Sequence, residues 1–350
     1  MDFLTGKCRR GGLKVRELFF IIIVLGLVSC FGEKQRVREL TKDATNAIKG
    51  AVALMIILGH CVIATNEAKF SFMNVGWYGV AVFFFLSGWG VACGYKIKKG
   101  YFIGFLKNRF VKVLVPFFTA HILYYCIKTA FGVRFSFGNI LSGFIGRCDI
   151  VDNAWYPVAA IIFYLVFWLI FKLDIKEKMK VIFLFIVVII ITVIQYLILG
   201  QGEQWWFISN VAFPIGVIVY LSDAPIIKKK LWVITGIMLF LLGYMLIPIL
   251  GRVFGTYYYG VYILTTNMQS AGVALIVISV VCMVGKYSQL SVRLGEISYE
   301  IYLLHGLFIW IFSKFFTLGL FELFMLTTIC SIILAYFMRC INRRLITAVL

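Results

Sequence analysis

The chain has 350 residues, 62% of them hydrophobic and only 14% charged, with a formal net charge of +19. A soluble domain of this composition could not cover its apolar surface, which excludes the soluble enzyme and DNA-binding classes. The basic excess sits in the segments between apolar runs, which points to membrane orientation rather than nucleic acid.

Residues 1–17 carry five cations: Lys7, Arg9, Arg10, Lys14 and Arg16. They precede LFFIIIVLGLVSCFG at 18–32, a run short for a full crossing. The pattern resembles a signal-peptide start, and Leu27-Val28-Ser29-Cys30 resembles a lipoprotein cleavage box. Cleavage there would place 31–47 outside and invert the charge pattern of the ten-span core. Because basic residues flank both ends, a retained interfacial or re-entrant helix on the cytoplasmic side is preferred, with an eleventh span as the alternative.

Ten spans are expected, near 48–65, 76–95, 110–131, 154–172, 181–199, 205–222, 231–250, 267–285, 296–316 and 318–338. The first holds KGAVALMIILGH, from Lys49 to His60. At about 100° per residue, eleven steps return to within roughly 20° of the same helix face, about 16 Å further on. In a bilayer core of about 30 Å, a Lys49 at one edge puts His60 near mid-depth, where an ionisable group is a functional candidate. A histidine bonded between packed helices is the alternative. The second span carries Ser87 and Gly88, small residues that suit close helix packing. In NRFVKVLVP, Arg109 and Lys112 lie one turn apart at the mouth of the third span, where two cations could hold phosphate or could simply snorkel. His121 lies on the opposite side of that helix from Lys112 and is read as structural. In LGEISYEIYLLH, Ser298, Tyr302 and His305 share one helix face. They could relay a proton or form a hydrogen-bonded seam, and the seam is the preferred use of Ser298 and Tyr302.

If 33–49 is cytoplasmic, 23 cations fall on that side against five on the other (Lys69, Arg134, Arg147, Arg252 and Lys314). Both ends of the ten-span core are then cytoplasmic. The nine cysteines form no C-x-x-C pair, and with three histidines and no H-E-x-x-H no metal centre is expected. No G-x-S-x-G motif offers a nucleophile, so a histidine acting as general base is the simpler chemistry.

Five segments in register resemble the acyltransferase 3 family of polytopic membrane acyltransferases. KGAVALMIILGH is similar to its R-x10-H pattern, GVAVFFFLSG to G-V-D-x-F-F-x-L-S-G, and NRFVKVLVP to R-x-x-R-x-x-x-P. WYPVAAIIFY is similar to W-x(8)-Y, and LGEISYEIYLLH to L-G-x-x-S-Y-x-x-Y-L-x-H. The resemblance covers about 46–316. It implies an all-α transmembrane bundle of about ten spans plus the short N-terminal helix. Residues 1–43 form a basic segment, 44–340 the acyltransferase domain and 341–350 a cytoplasmic tail. It further implies an O-acyltransferase of the bacterial plasma membrane, with no tightly bound cofactor. Cytoplasmic acyl-CoA, expected to be acetyl-CoA, would be the donor, bound by Lys49, Arg109 and Lys112. His60 would be the base, and His305 or Tyr302 would orient the thioester or donate a proton. The acceptor would be an envelope glycan, a lipid-linked sugar or a similar hydroxyl compound. Lys49 and Lys112 stand where the family usually has arginine, Asn46 and Ala81 where it has aspartate, and Ala160 where many members have glutamate. A mechanism that needs those carboxylates is therefore not expected here. The rival class is a transporter or flippase for a lipid-linked or small polar substrate, for which no inverted repeat is visible. A polymerase or ligase would be expected to carry a larger outer loop than 132–153.

Overall fold

A computed structural model describes residues 13–29, 33–34, 40–222, 226–254 and 258–350. Among them are thirteen α-helices and a two-residue antiparallel ladder, Glu33–Lys34 against Lys286–Tyr287. Seven helices are long and apolar enough to cross a membrane, as an all-α multi-pass bundle requires. Cys8, Cys30 and the cations before residue 13 lie outside the described residues.

The N-terminal helix α1 (Leu13–Ser29) does not lie flat below the bundle. Phe20, Val24 and Val28, spaced four apart, are fully buried against the other helices. Its exposed side is apolar as well, with Leu18 and Ile22 more than half exposed, which suits lipid and not an interface with water. Phe19 and Arg16 meet Phe72 and Trp77 at one end of the bundle. At the opposite end Ser291 Oγ donates to Leu27 O, and Ser288 N donates to Val28 O. The helix, 17 residues or about 25 Å, thus packs lengthwise beside the 24-residue α2 (Lys42–Thr65), in the direction the eleventh-span alternative requires.

The expected spans map onto α2, α3 (Gly76–Ile97), α4 (Phe105–Ala130), α6 (Trp155–Phe171), α7 (Glu177–Leu199), α9 (Ile226–Phe254), α10 (Tyr258–Val284) and α13 (Leu320–Val349). A short helix α5 (Phe137–Phe144) lies in the loop after α4. One expected span needs correction. The span at 205–222 is half loop: a 3-10 turn at Gln201–Trp206 and irregular backbone precede the ten-residue α8 (Ala212–Leu221). The loop survives because α10 satisfies it. Asn267 Nδ2 donates to Phe207 O and Ser270 Oγ to Ile208 O, while Val211 N donates to Asn267 Oδ1. The span at 296–316 is α12 (Ser298–Phe315), preceded by the short α11 (Gln289–Glu296), the two joined at Ile297. Residues 341–349 continue α13 as helix.

Glycines set the close crossings. A Cβ on Gly295 of α11 would collide with the Asn46 carbonyl oxygen of α2, and one on Gly50 with that of Ser291. A Cβ on Gly88 of α3 would strike Phe213 O of α8, and one on Gly216 would strike Phe85 O. The Ser87-Gly88 step is thus a packing device, as its small residues suggested. Loops collect at two ends: Lys96 pairs with Glu177 at 2.9 Å at one end, and Glu67 accepts from Leu320 N at the other.

Candidate active site

The two histidines that end the first and last sequence motifs meet. His60 Nδ1 lies 2.7 Å from His305 Nε2. The ring centres are 4.9 Å apart and the planes differ by 10°. Each nitrogen lies in its own ring plane, and the two centre-to-nitrogen radii plus the gap account for almost the whole separation. The rings are therefore edge to edge and nearly coplanar, joined by an in-line hydrogen bond rather than stacked face to face. His305 is fully buried and His60 is half-buried.

The partners assign the protons. His305 Nδ1 faces Ile301 O at 3.2 Å. A carbonyl only accepts, so Nδ1 carries the proton and Nε2 the lone pair. His60 must then donate through Nδ1, which leaves the lone pair of His60 on Nε2. Among the described residues nothing bonds that nitrogen. A second donor, Asn153 Nδ2, stands 3.2 Å from His305 Nε2. Among the described residues neither ring is bonded to a carboxylate. Ala81 and Ala160 are buried in the packed core, so the missing family acids are filled by close packing.

Tyr302 lies one turn before His305, its ring centre 5.9 Å from the imidazole. It is buried and packs on Tyr156 at 4.9 Å and Phe83 at 6.2 Å. Ser298 does not join this face: its Oγ donates to Gly295 O at the α11–α12 joint. The seam expected there is thus a local joint. Glu300, next to these residues and 1% exposed, accepts from Arg339 Nη1 at 3.2 Å and Asn342 Nδ2 at 3.4 Å.

Towards the end where α2 begins, Lys49 is half-buried and lies within electrostatic reach of Arg109 and Arg339. Arg109 donates to Tyr101 Oη at 3.1 Å and lies over the Tyr164 ring at 5.3 Å, so the third-span and fourth-span motifs meet here. Lys112 is also within electrostatic reach of Arg109 but makes no hydrogen bond to either motif among the described residues. It is exposed on the outside of α4. Arg339, which no sequence motif marks, lies near this group while paired with Glu300 at 3.2 Å. Asn153 was missed because it falls in what reads as an outer loop. Its only sequence signal is its place two residues before the W-x(8)-Y segment.

His121 is buried beneath Gly143, with both ring nitrogens unpartnered and Phe144 stacked on it at 4.7 Å. It lies apart from the histidine pair, in keeping with a structural reading. Among the described residues no group of three His, Cys, Asp or Glu could hold a metal.

The arrangement offers one unengaged imidazole lone pair inside a helix bundle and a cationic cluster at one end, which suits acyl transfer from an anionic donor. Comparison with curated proteins gives no match, and neither does comparison with solved structures. Residues 43–340, most of the chain, match the family model described as "Acyltransferase domain", and the chain belongs to the acyltransferase 3 family of membrane acyltransferases.

Proposed function

We propose that this membrane acyltransferase moves an acyl group, acetyl in the simplest case, from cytoplasmic acyl-CoA to a hydroxyl of an envelope acceptor. The in-line bond between His60 and His305, with no partner for His60 Nε2 among the described residues, carries the reading. His60 Nε2 takes the acceptor hydroxyl proton as the oxygen attacks the thioester carbon. The C–O bond forms, the C–S bond breaks, and the departing thiolate receives that proton from His60. While His60 is cationic, its Nδ1–H bond to His305 Nε2 strengthens, since a charged donor makes the stronger bond. Tyr302 packs against this pair and would help to orient the thioester. Lys49 and Arg109 would hold the donor phosphates, with Arg339 adding charge. Lys112, on the outside of α4, would contribute only long-range attraction.

The cations of the ten-span core fall 23 to 5 in favour of the Lys49 end; Arg16, at the far end of α1, adds to the smaller side, and the bias still supports an orientation with the Lys49 end in the bacterial cytoplasm. An acyl-CoA is made there, so the acceptor, a glycan or lipid-linked sugar, would approach from the side of 132–153. The test is thiol release from acetyl-CoA by purified protein given a hydroxyl acceptor. His60→Ala is expected to lower the rate roughly 10²–10⁴-fold without loss of folded protein. A wild-type rate in that variant would remove His60 from the chemistry. No thiol release by the wild type with a range of acceptors would favour the transport reading.

A further inference from the structure

The segment 150–154 is built into the bundle more firmly than a surface loop requires. Ile150, Val151, Asn153 and Ala154 are all buried. Lys128 of α4, 5% exposed, donates to Ile150 O at 2.8 Å and to Asp152 Oδ1 at 3.3 Å. Its ammonium also lies over the rings of Tyr124 and Trp310, at 5.2 and 5.6 Å. Gly306 leaves room for this seat, because a Cβ there would come within 2.7 Å of Asp152 Oδ2. Tyr124 ties α4 to α12, donating to Leu303 O and accepting from Leu307 N. Burying a lysine is expensive unless it is fully paired. Here the pairing fixes Ile150 and Asp152, three residues and one residue before Asn153.

The Asn153 side chain ends 3.2 Å from His305 Nε2. We propose that Asn153 is a positioning residue for acyl transfer: its amide N–H holds His305 in the Nδ1-protonated form, and Lys128 seats the segment that delivers it. This rests on His60 being the base. With an N–H donor aimed at Nε2, a proton on that nitrogen would face another proton, so the alternative tautomer is excluded. His305 must then accept from His60, which keeps the reactive lone pair on His60 Nε2. An amide thus does for this pair what a carboxylate does in many histidine sites, with the opposite proton placement.

The test uses the full-length protein in lipid nanodiscs. Asn153→Ala is expected to lower kcat about tenfold, the size of one lost hydrogen bond, with the donor KM within about twofold. Asn153→Asp is nearly isosteric yet is expected to be worse than Asn153→Ala, because a carboxylate draws a proton onto His305 Nε2 and takes away the acceptor for His60. A packing role would rank the two the other way, and that order would overturn the proposal. The chain has three histidines, so 15N spectra of histidine-labelled protein can be assigned with His60→Gln, His121→Gln and His305→Gln. The wild type should show His305 protonated on Nδ1 alone, and Asn153→Asp should show the proton on Nε2. A wild-type His305 protonated on Nε2 would overturn the proposal whatever the activity. Loss of transfer in the wild type would instead sink the function and leave this proton assignment testable.

Discussion

Helices α2 and α9 are both strongly apolar, yet 72% of the most apolar window of α2 is buried inside the protein and only 11% of that of α9. The difference lies in how many sides of the helix carry small side chains: α9 has them on one, where Gly236 and Gly243 meet α10, and α2 on more than one. Between Lys49 and His60, α2 carries Gly50, Ala51, Ala53 and Gly59, which let other backbones approach it. Across its outer face α9 presents Ile234, Ile237, Met238, Leu241 and Met245, all well exposed. Hydropathy alone cannot tell a helix enclosed by protein from one facing lipid; the small residues can. The enclosed helix is also the one that carries the histidine.

The sharpest way to break this contrast is to fill the crossings. Gly295→Val should abolish folded protein, since its Cβ meets the Asn46 backbone, and Gly88→Leu should do the same against Phe213. Gly90→Ala, two residues further along α3, meets nothing within 4 Å and should be neutral. Monodisperse yield in detergent reads this out, and a well-folded Gly295→Val would contradict the packing. Next in size, Lys49→Gln and Arg109→Gln should each raise the donor KM about tenfold or more, the worth of a charge-assisted hydrogen bond, with acceptor KM little changed. Lys49→Arg should retain or improve donor use. Lys112→Gln, outside the cluster, should stay within about twofold; a large effect there would move the donor site. On the lipid-facing side, Ile237→Ala and Met245→Ala should leave both yield and activity unchanged.

The orientation can be read with an impermeant thiol reagent in intact cells. The native Cys148 is a poor reporter: it is half-buried, and burial together with the nearby Glu203 charge pushes its thiol up to about 12. At neutral pH it holds almost no thiolate, the reactive form. Cysteine in place of the exposed Arg134 should label, and cysteine in place of the exposed Lys230 should not. The reverse pattern would invert the topology and remove the transfer of an acyl group across the bilayer.

The spans were legible because an apolar run of bilayer length has few other uses, and the histidine pair because both residues are rare and sit inside such runs. The α8 half-span was not, since Phe207 to Val211 look as apolar as a helix and their hydrogen bonds come from Asn267 and Ser270, some sixty residues later. Asn153 was hidden for a similar reason: nothing local marks a loop asparagine whose partner is His305. In the sequence Lys128 reads as no more than a charge within a span, since its buried seat depends on a backbone carbonyl, Ile150 O, that no sequence motif announces. The exposure of Lys112 was not legible either, because a one-turn spacing fixes its distance from Arg109 along the helix but not which of the two faces the interior.

The half-span has a consequence for how the chain enters the membrane. Ten residues of helix extend about 15 Å, half the bilayer core, so α8 cannot be held there by its own length. The carbonyls of Phe207 and Ile208 lack their side-chain donors until α10 has been synthesised. During translation the segment must therefore wait, beside α3 or within the insertion machinery, for a helix made later, and truncation before Asn267 should leave α8 unable to settle in the membrane.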